Sequence, residues 1–162
     1  MKKHILSVWV ENQAGVLSKV TALFGEIGAN IDSLAVGVTE RRDATRMTIV
    51  VNGSDEMVDN IISNLNKITN LIKTKKIQEG ESVLRELALI MVEAPEGKRS
   101  DIINIVEIFR AQIVDVGLST MTVEISGDKD KIQAIEDLLS PFGIREIVRT
   151  GTIAIDRGIR RA

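Results

Sequence analysis

The apolar and polar positions in the first half of the chain follow one complete cycle of strand and helix patterns. "HILSVWVE", residues 4–11, is short and rich in β-branched and apolar residues, which predicts a strand. Apolar residues then recur at steps of three and four, which predicts a helix over residues 15–27, and Gly28 suits the left-handed position that ends a helix. Two strands follow in "NIDSLAVGVT" and "TRMTIVVNG", joined by the charged hairpin "ERRDA". A second helix begins at Ser54 or Asp55, and "NLIKTKKI" is the closing strand.

The second half repeats the same order of elements. "VLRELALIMVEA" predicts a strand, "SDIINIVEIFR" a helix that begins at a Ser100 or Asp101 cap, and "QIVDVG" and "TMTVEIS" two strands. "DKDKIQAIEDLLS" predicts a helix with negative charge at its start, and "GIREIVRTGTIAI" the last strand. Strand, helix, strand, strand, helix and strand occur twice, which predicts an α+β protein of two tandem ferredoxin-like βαββαβ domains.

The polar stretch "QEGES" is the natural boundary between the two repeats, because it carries no periodic apolar pattern. We therefore expect one domain over residues 1–78 and a second over residues 83–162. In each domain the helices should cover one face of the sheet and leave the other face free. Exposed apolar residues on a free face, Trp9 among them, would indicate an oligomer or a partner.

Composition narrows the classes of function. The chain is 44% hydrophobic and 27% charged, which is ordinary for a globular protein. It has no cysteine and a single histidine, His4, which is better interpreted as a surface or strand-face residue than as a general base. Neither a catalytic group nor a metal site is therefore predicted.

Charge and aromatic content argue against nucleic acid as a partner. The formal net charge is −2, which provides no basic field for a phosphate backbone. Phe24 and Phe109 lie on apolar helix faces, so the aromatic platform that stacks on RNA bases is missing.

The amino terminus does not have the pattern of a signal peptide, and no apolar run is long enough to span a membrane. A cytoplasmic location is expected.

The loop before the first helix is the candidate binding site. Backbone N–H groups in the first turn of a helix lack intrahelical acceptors and attract a carboxylate. Gly15 allows a ligand to approach the backbone closely, and Asn12 and Asn30 each offer a donor and an acceptor. These groups suit a free amino acid. The same residues also suit helix capping and turns, so both interpretations remain open from local physics.

Several segments resemble one known family. "ENQAGVLSKVTALFGEIGANIDSLAV" is similar to the first half of an ACT domain, specifically that of the regulatory, or small, subunit of acetohydroxyacid synthase, also called acetolactate synthase. "TRMTIVV", "REL", "EIFRAQIVDVG" and "GIREIVRTGTIAIDRG" resemble the same family in the same order, so the resemblance spans nearly the whole chain. Many proteins carry an ACT domain, and it is "EIFRAQIVDV" and "VRTG" that make the resemblance specific.

The resemblance implies a regulatory subunit without a catalytic site, a metal or a cofactor of its own. Its partner would be the catalytic, or large, subunit, which carries thiamine diphosphate, FAD and magnesium and condenses pyruvate with a second 2-oxoacid. This reaction serves branched-chain amino-acid biosynthesis, the route to valine and isoleucine. The small subunit would activate the catalytic subunit and confer feedback inhibition by valine.

The resemblance also implies a homodimer formed through ACT domains, with the effector at the interface. One chain would contribute the loop and helix start, and the other chain would contribute the residues after the helix. Transferred to this sequence, the effector site comprises Asn12, Gln13, Ala14, Gly15, Val16 and Leu17 of one chain and Asn30 and Ile31 of the other.

One residue departs from the family pattern. Ala29 stands where the family commonly has an aromatic residue, which leaves open which branched-chain amino acid is the effector and how tightly it binds. The sequence also leaves open the surface that contacts the catalytic subunit, any assembly beyond an ACT dimer, and the order of the basic end "RGIRRA". The alternative is a free-standing ACT-domain regulator of another enzyme or of transcription, although the sequence shows no helix-turn-helix.

Overall fold

The structure, a computed structural model that describes residues 1–158, contains two βαββαβ repeats and one additional strand. The first repeat consists of β1 (Lys2–Glu11), α1 (Val16–Ile27), β2 (Asn30–Val38), β3 (Ala44–Gly53), α2 (Asp55–Leu65) and β4 (Leu71–Lys76). The second consists of β5 (Ser82–Glu93), α3 (Arg99–Ile108), β6 (Gln112–Val116), β7 (Thr120–Gly127), α4 (Lys129–Leu139) and β8 (Ile144–Arg149). The additional strand is β9 (Ile153–Asp156). The predicted α+β class with two ferredoxin-like repeats is confirmed.

Each repeat forms its own antiparallel sheet. The strand order is β2-β3-β1-β4 in the first sheet and β6-β7-β5-β8 in the second, with β9 also paired to β5. The first strand of each repeat therefore lies in the interior of its sheet, and β2 and β6 lie at corresponding edges. This is the order that the ferredoxin-like prediction requires.

The first core lies between one face of the first sheet and the helices α1 and α2. Alternate residues along β1 and β3 point into it, as the period of two along a strand dictates. Its fully buried members include Leu6, Val8, Val10, Met47, Ile49, Val51, Val20, Phe24, Ile61 and Leu65. Gly28 ends α1 in the left-handed conformation with φ +77°, as predicted, and its N–H donates to the Gly25 carbonyl.

The second core is built in the same way from β5, β7, α3 and α4. Its members include Ala88, Ile90, Val92, Ile102, Val123, Ile125, Ile132, Ile135 and Leu139, all essentially inaccessible to solvent. On the opposite face of this sheet the neighbours Leu89 and Val148 are 38% and 55% exposed. The helices of the second unit therefore cover one face and leave apolar residues exposed on the other, as expected.

The predicted last strand is two strands in the structure. β8 ends at Arg149 and β9 begins at Ile153, and Gly151 between them has φ +82°, a conformation that interrupts an extended chain. The chain forms two compact units, of which one is Leu84–Gly151 and the other combines Met1–Val83 with the segment that begins at Thr152. β9 thus lies with the first unit, whereas contiguous domains over 1–78 and 83–162 would assign it to the second. Residues 159–162 of the predicted second domain lie outside the described residues.

The second face of the first sheet is not free, contrary to expectation. Four residues of that face are buried, namely Ile5, Ser7, Thr48 and Val50. β9 lies against this face, where the Arg46 guanidinium on β3 donates to the Ala154 carbonyl at 2.6 Å. The sequence did not reveal this cover, because a local apolar pattern does not show which sheet face a strand packs against.

Trp9 lies half-buried on the same face, between two cations. The Arg46 guanidinium carbon is 4.4 Å from the centroid of the ring, and the Lys73 ammonium nitrogen is 4.9 Å from it. These distances allow cation–π attraction to both.

Among the described residues, no helix has the length and apolarity needed to cross a membrane.

Candidate functional site

The loop between β1 and α1 is held by the side chain and backbone of Asn12. Its Oδ1 accepts a hydrogen bond from Thr45 Oγ1 at 3.2 Å, and its Nδ2 donates to the Arg42 carbonyl at 3.2 Å. The Asn12 backbone N–H donates to the Asp43 carbonyl at 2.8 Å. Asn12 therefore ties the loop to the β2–β3 hairpin, and its exposed amide retains one further donor and one further acceptor position.

Among residues 1–158, no side chain caps the first turn of α1. The N-cap position is Gly15, which has φ +84° and no side chain, so the interpretation of Asn12 as a helix cap is wrong. By contrast, Ser54 and Asp128 cap α2 and α4, because their side chains accept hydrogen bonds from backbone N–H groups in the first turn. The first turn of α1 also contains no acidic residue. Its N–H groups carry partial positive charge and match a carboxylate.

A cleft of about 330 Å³ opens beside this loop. One wall comes from the end of β1, the loop and the start of α1, and includes Glu11, Asn12 and Val16. The other wall comes from the end of β2 and the start of β3, namely Val36, Gly37, Val38, Thr45 and Met47. This volume falls in the range of small-molecule sites.

The eight residues predicted for the effector site occupy three places. Asn12, Gln13, Val16 and Leu17 line the cleft. Ala14 and Gly15 belong to the same loop but not to the cleft lining. Asn30 and Ile31 begin β2, at the other end of α1, which has 12 residues and is about 18 Å long. One amino acid cannot contact Asn12 and Asn30 of the same chain.

Ala29 lies near Asn30 and not at the cleft. Its methyl group packs against the first core, and its N–H donates to the Phe24 carbonyl at 2.8 Å as part of the end of α1. Asn30 is exposed at the start of β2. Within one chain, then, Ala29 contributes to packing and Asn30 is accessible.

Charged groups at the rim give the cleft a mixed polarity. Glu11 is one of the residues that line the cleft, and its carboxylate accepts a hydrogen bond from Asn70 Nδ2 at 2.9 Å. On the adjoining hairpin, the hydrogen bond from Arg41 lowers the pKa of the exposed Asp43 carboxyl below its ordinary value. The acidic residue Glu11 and the N–H donors at the start of α1 together suit a zwitterion.

The wall formed by β2 and β3 was missed by sequence reasoning about the loop. The signal was nonetheless available, because a ferredoxin-like sheet pairs β1 and β3 antiparallel. The end of β1 is then beside the start of β3, and the observed register pairs Val10 with Thr45 and Thr45 with Val38. Residues that begin β3 and end β2 therefore had to lie next to the loop.

His4 has a structural environment. The ring is buried, and its Nε2 lies 3.2 Å from the Gly53 carbonyl oxygen and 3.8 Å from Asp55 Oδ1. It is thus a buried residue on a strand face, one of the two placements that the sequence allowed. Within residues 1–158, no group of three or more histidine and acidic side chains has the arrangement of a metal site.

Two family models match the chain and together cover most of its length. Residues 6–73 match the "AHAS small subunit-like ACT domain" and residues 85–158 match the "Small subunit of acetolactate synthase". The first matched range falls in the first βαββαβ repeat, and the second covers most of the second repeat together with β9.

Curated relatives and a solved structure agree with these models. The probable acetolactate synthase small subunit of Archaeoglobus fulgidus is 49% identical over 159 residues, which cover 98% of this chain and 99% of that protein. The acetolactate synthase small subunit of Mycobacterium bovis is 48% identical, with coverage of 98% and 95%. The crystal structure of the acetolactate synthase small subunit from Thermotoga maritima superposes with a TM-score of 0.91 at 36% identity and covers 99% of this chain and 100% of that chain. The chain belongs to the family of acetolactate synthase small subunits.

Proposed function

We propose that this chain activates the catalytic subunit of acetolactate synthase and makes it sensitive to feedback inhibition by valine. The observation that carries the proposal is the cleft at the uncapped start of α1, in a chain whose family is that of the small subunits. The chain has no catalytic role of its own in this proposal. Thiamine diphosphate, FAD and magnesium belong to the catalytic subunit, and both subunits work in the cytoplasm.

The chemistry of the cleft suits a small apolar amino acid. The N–H groups at the start of α1 receive the carboxylate, and the Glu11 carboxylate and Asn12 Oδ1 receive the ammonium group. Val16, Val36 and Met47 provide an apolar wall for the side chain. These three contacts favour a branched-chain amino acid over a charged or strongly polar one.

The position of Asn30 is explained by a homodimer. β2 is at the edge of the first sheet, and Val36 and Val38 on it are 45% and 61% exposed. If two copies of β2 pair antiparallel about a twofold axis, the start of one strand lies beside the end of the other. Asn30 and Ile31 of one chain would then complete the cleft of its partner, whose wall includes Val38.

Inhibition follows from linkage. Valine that binds one state of the dimer more tightly shifts the population toward that state, by as much as the difference in affinity and no more. The state favoured by valine activates the catalytic subunit less. The ACT dimer interface is the element that changes between the two states.

The test uses Asn12→Ala and Gly15→Asp in an enzyme reconstituted from both subunits. Gly15→Asp places a side chain at φ +84° and a carboxylate at the helix end where the ligand carboxylate binds. We expect both variants to lose inhibition by valine, measured against the uninhibited rate of each variant. Calorimetry on the isolated variants should show no heat of valine binding.

Asn66→Ala, at an exposed asparagine just after α2, is the matched control and should keep wild-type inhibition. If Gly15→Asp is inhibited as strongly as the wild type, the proposed site is wrong. If the tagged chain does not copurify with a thiamine-dependent catalytic subunit or raise its acetolactate-forming rate, the activating role is wrong. The alternative of a free-standing regulator would then be favoured.

A further inference from the structure

Arg46 joins the first sheet to β9. From the middle of the sheet, its Nη2 donates to Ser7 Oγ at 3.0 Å and to the Ala154 carbonyl at 2.6 Å. Its Nε is buried without a hydrogen-bond partner among the described residues. Burial lowers the pKa of Arg46 below its ordinary value, with the opposing effect of the Asp156 charge smaller. The partly buried guanidinium is thus held in place by contacts to β1 and β9.

Residues 152–157, which we call the C-terminal strap, are also attached at both ends. The Thr152 N–H donates to Ser33 Oγ on β2 at 3.5 Å. Asp156 pairs with Lys75 on β4 and accepts from Ser82 Oγ, and the Arg157 N–H donates to the Glu81 carbonyl at 2.8 Å. The strap therefore crosses the sheet face from β2 to β4, with Arg46 near its midpoint.

Successive residues of β3 connect the strap to the cleft. Thr45 and Met47 line the cleft, while Arg46 between them points to the opposite face of the sheet. Thr45 also binds the Asn12 side chain, so the loop at the cleft and the contact to the strap involve adjacent residues. Gly37 on β2 pairs with Arg46 and itself lines the cleft.

We propose that Arg46 is a positioning residue that couples occupancy of the cleft to attachment of the C-terminal strap. This inference rests on the proposed effector function of the cleft. A ligand that contacts Thr45 and Asn12 restricts the start of β3 and so holds Arg46 against Ala154. The strap is then more firmly attached in the liganded state, which gives the regulatory subunit a second structural difference between its states.

Coupling of this kind is reciprocal. If effector binding stabilises the attached strap by some factor, loosening the strap weakens effector binding by the same factor. Arg46 does not line the cleft, so a change in affinity on its substitution acts through the sheet and not through a lost contact.

The test is hydrogen–deuterium exchange of residues 152–157 in the full-length chain, with and without valine, alongside calorimetry of valine binding. In the wild type we expect valine to slow exchange of the strap by about fivefold or more. In Arg46→Met, exchange without valine should rise by about tenfold or more, because a hydrogen bond from a charged group is lost. The affinity of this variant for valine should also fall. We expect the factor to equal the one by which valine slows hydrogen exchange of the strap in the wild type.

Arg46→Lys retains the charge but replaces the planar guanidinium with a compact ammonium group on a different stem, so it should recover only part of both effects. Asp156→Asn changes an exposed strap residue that does not reach the core, and it should also speed exchange and weaken valine binding, even if Arg46→Met fails to fold. Arg85→Met is the matched control, because this exposed guanidinium donates to the carbonyl of its neighbour Leu84. It should leave strap exchange and valine affinity unchanged.

Valine binding to Arg46→Met and Asp156→Asn with wild-type affinity would overturn the coupling and leave the effector site standing. Valine binding to the wild type without any change in strap exchange would do the same. Failure of the wild-type chain to bind any branched-chain amino acid, alone or with the catalytic subunit, would overturn the proposed function and the coupling together.

Discussion

Glu86 and Arg149 give a physical meaning to two of the short motifs in the sequence, "REL" and "VRTG". Glu86 is buried, and its Oε1 and Oε2 accept from Arg149 Nε and Nη2 at 2.8 and 3.2 Å. The next residue of each motif adds a second link, because the Leu87 N–H donates to Thr150 Oγ1 at 3.0 Å. The two motifs therefore hold β5 and the end of β8 together just before Gly151 redirects the chain.

At the scale of single residues, we predict that Arg149→Met lowers the free energy of unfolding by about 3 kcal/mol, because it leaves the buried Glu86 carboxylate without its partner. Urea denaturation measures the change. The double variant Glu86→Gln with Arg149→Met should recover much of the loss, since a neutral amide costs less to bury than a carboxylate. A double variant no more stable than Arg149→Met alone would show that the charge of Glu86 is not the cause.

At the scale of single elements, α1 contains a glycine without a structural reason in this chain. A Cβ at Gly25 would meet no atom of the described residues within 4 Å, so close packing against the sheet does not account for the residue. Gly28, three residues on, has φ +77° and ends the helix. The same amino acid therefore weakens the helix at one position and terminates it at the other.

We predict that Gly25→Ala raises the free energy of unfolding by about 0.5–1 kcal/mol, because alanine loses less backbone entropy in a helix. Gly28→Ala should lower it by about 1 kcal/mol, because the methyl group is strained at positive φ. Thermal unfolding of both variants provides the comparison. Destabilisation by Gly25→Ala would mean that α1 packs closely against another molecule at this position.

Most elements could be predicted from sequence, because their periodic apolar patterns extend over many residues and end at recognisable capping residues. Gly28, Ser54 and Asp128 mark helix ends in the sequence and do so in the structure. The start of α3 was misplaced, because the helix begins at Arg99 after an uncapped Lys98 and not at a Ser100 or Asp101 cap. Both sides of the break at Gly151 contain β-branched residues, so local pattern could not separate β8 from β9.

Only the residues of the candidate site that are contiguous in sequence could be predicted. The loop residues Asn12 and Gln13 are contiguous in sequence and lie in the cleft as a group. The contact between Arg46 and Ala154 joins residues 108 positions apart, and no local pattern reports such a pairing. Sequence periodicity thus identifies elements, while contacts between distant elements require the structure.

At the scale of the whole molecule, the two units have separate cores, each closed by its own pair of helices. We predict that Ile90→Ala lowers the stability of the second unit by about 3 kcal/mol through the cavity it creates. Hydrogen exchange should accelerate in β7 and α4 and much less in α1 and β3. Ile49→Ala, the corresponding change in the first core, should show the opposite distribution. Equal acceleration in both units for either variant would indicate a single cooperative unfolding step.

The return of β9 to the first unit also has a consequence for synthesis of the chain on the ribosome. Domains generally fold in order from the amino terminus as they emerge. Here the second unit, Leu84–Gly151, is one continuous stretch, whereas the first needs the residues from Thr152 onward to cover its sheet. Until β9 has emerged from the ribosome, the face with Ile5 and Val50 lacks this cover. We therefore expect the unit made first to be the last to complete its native structure.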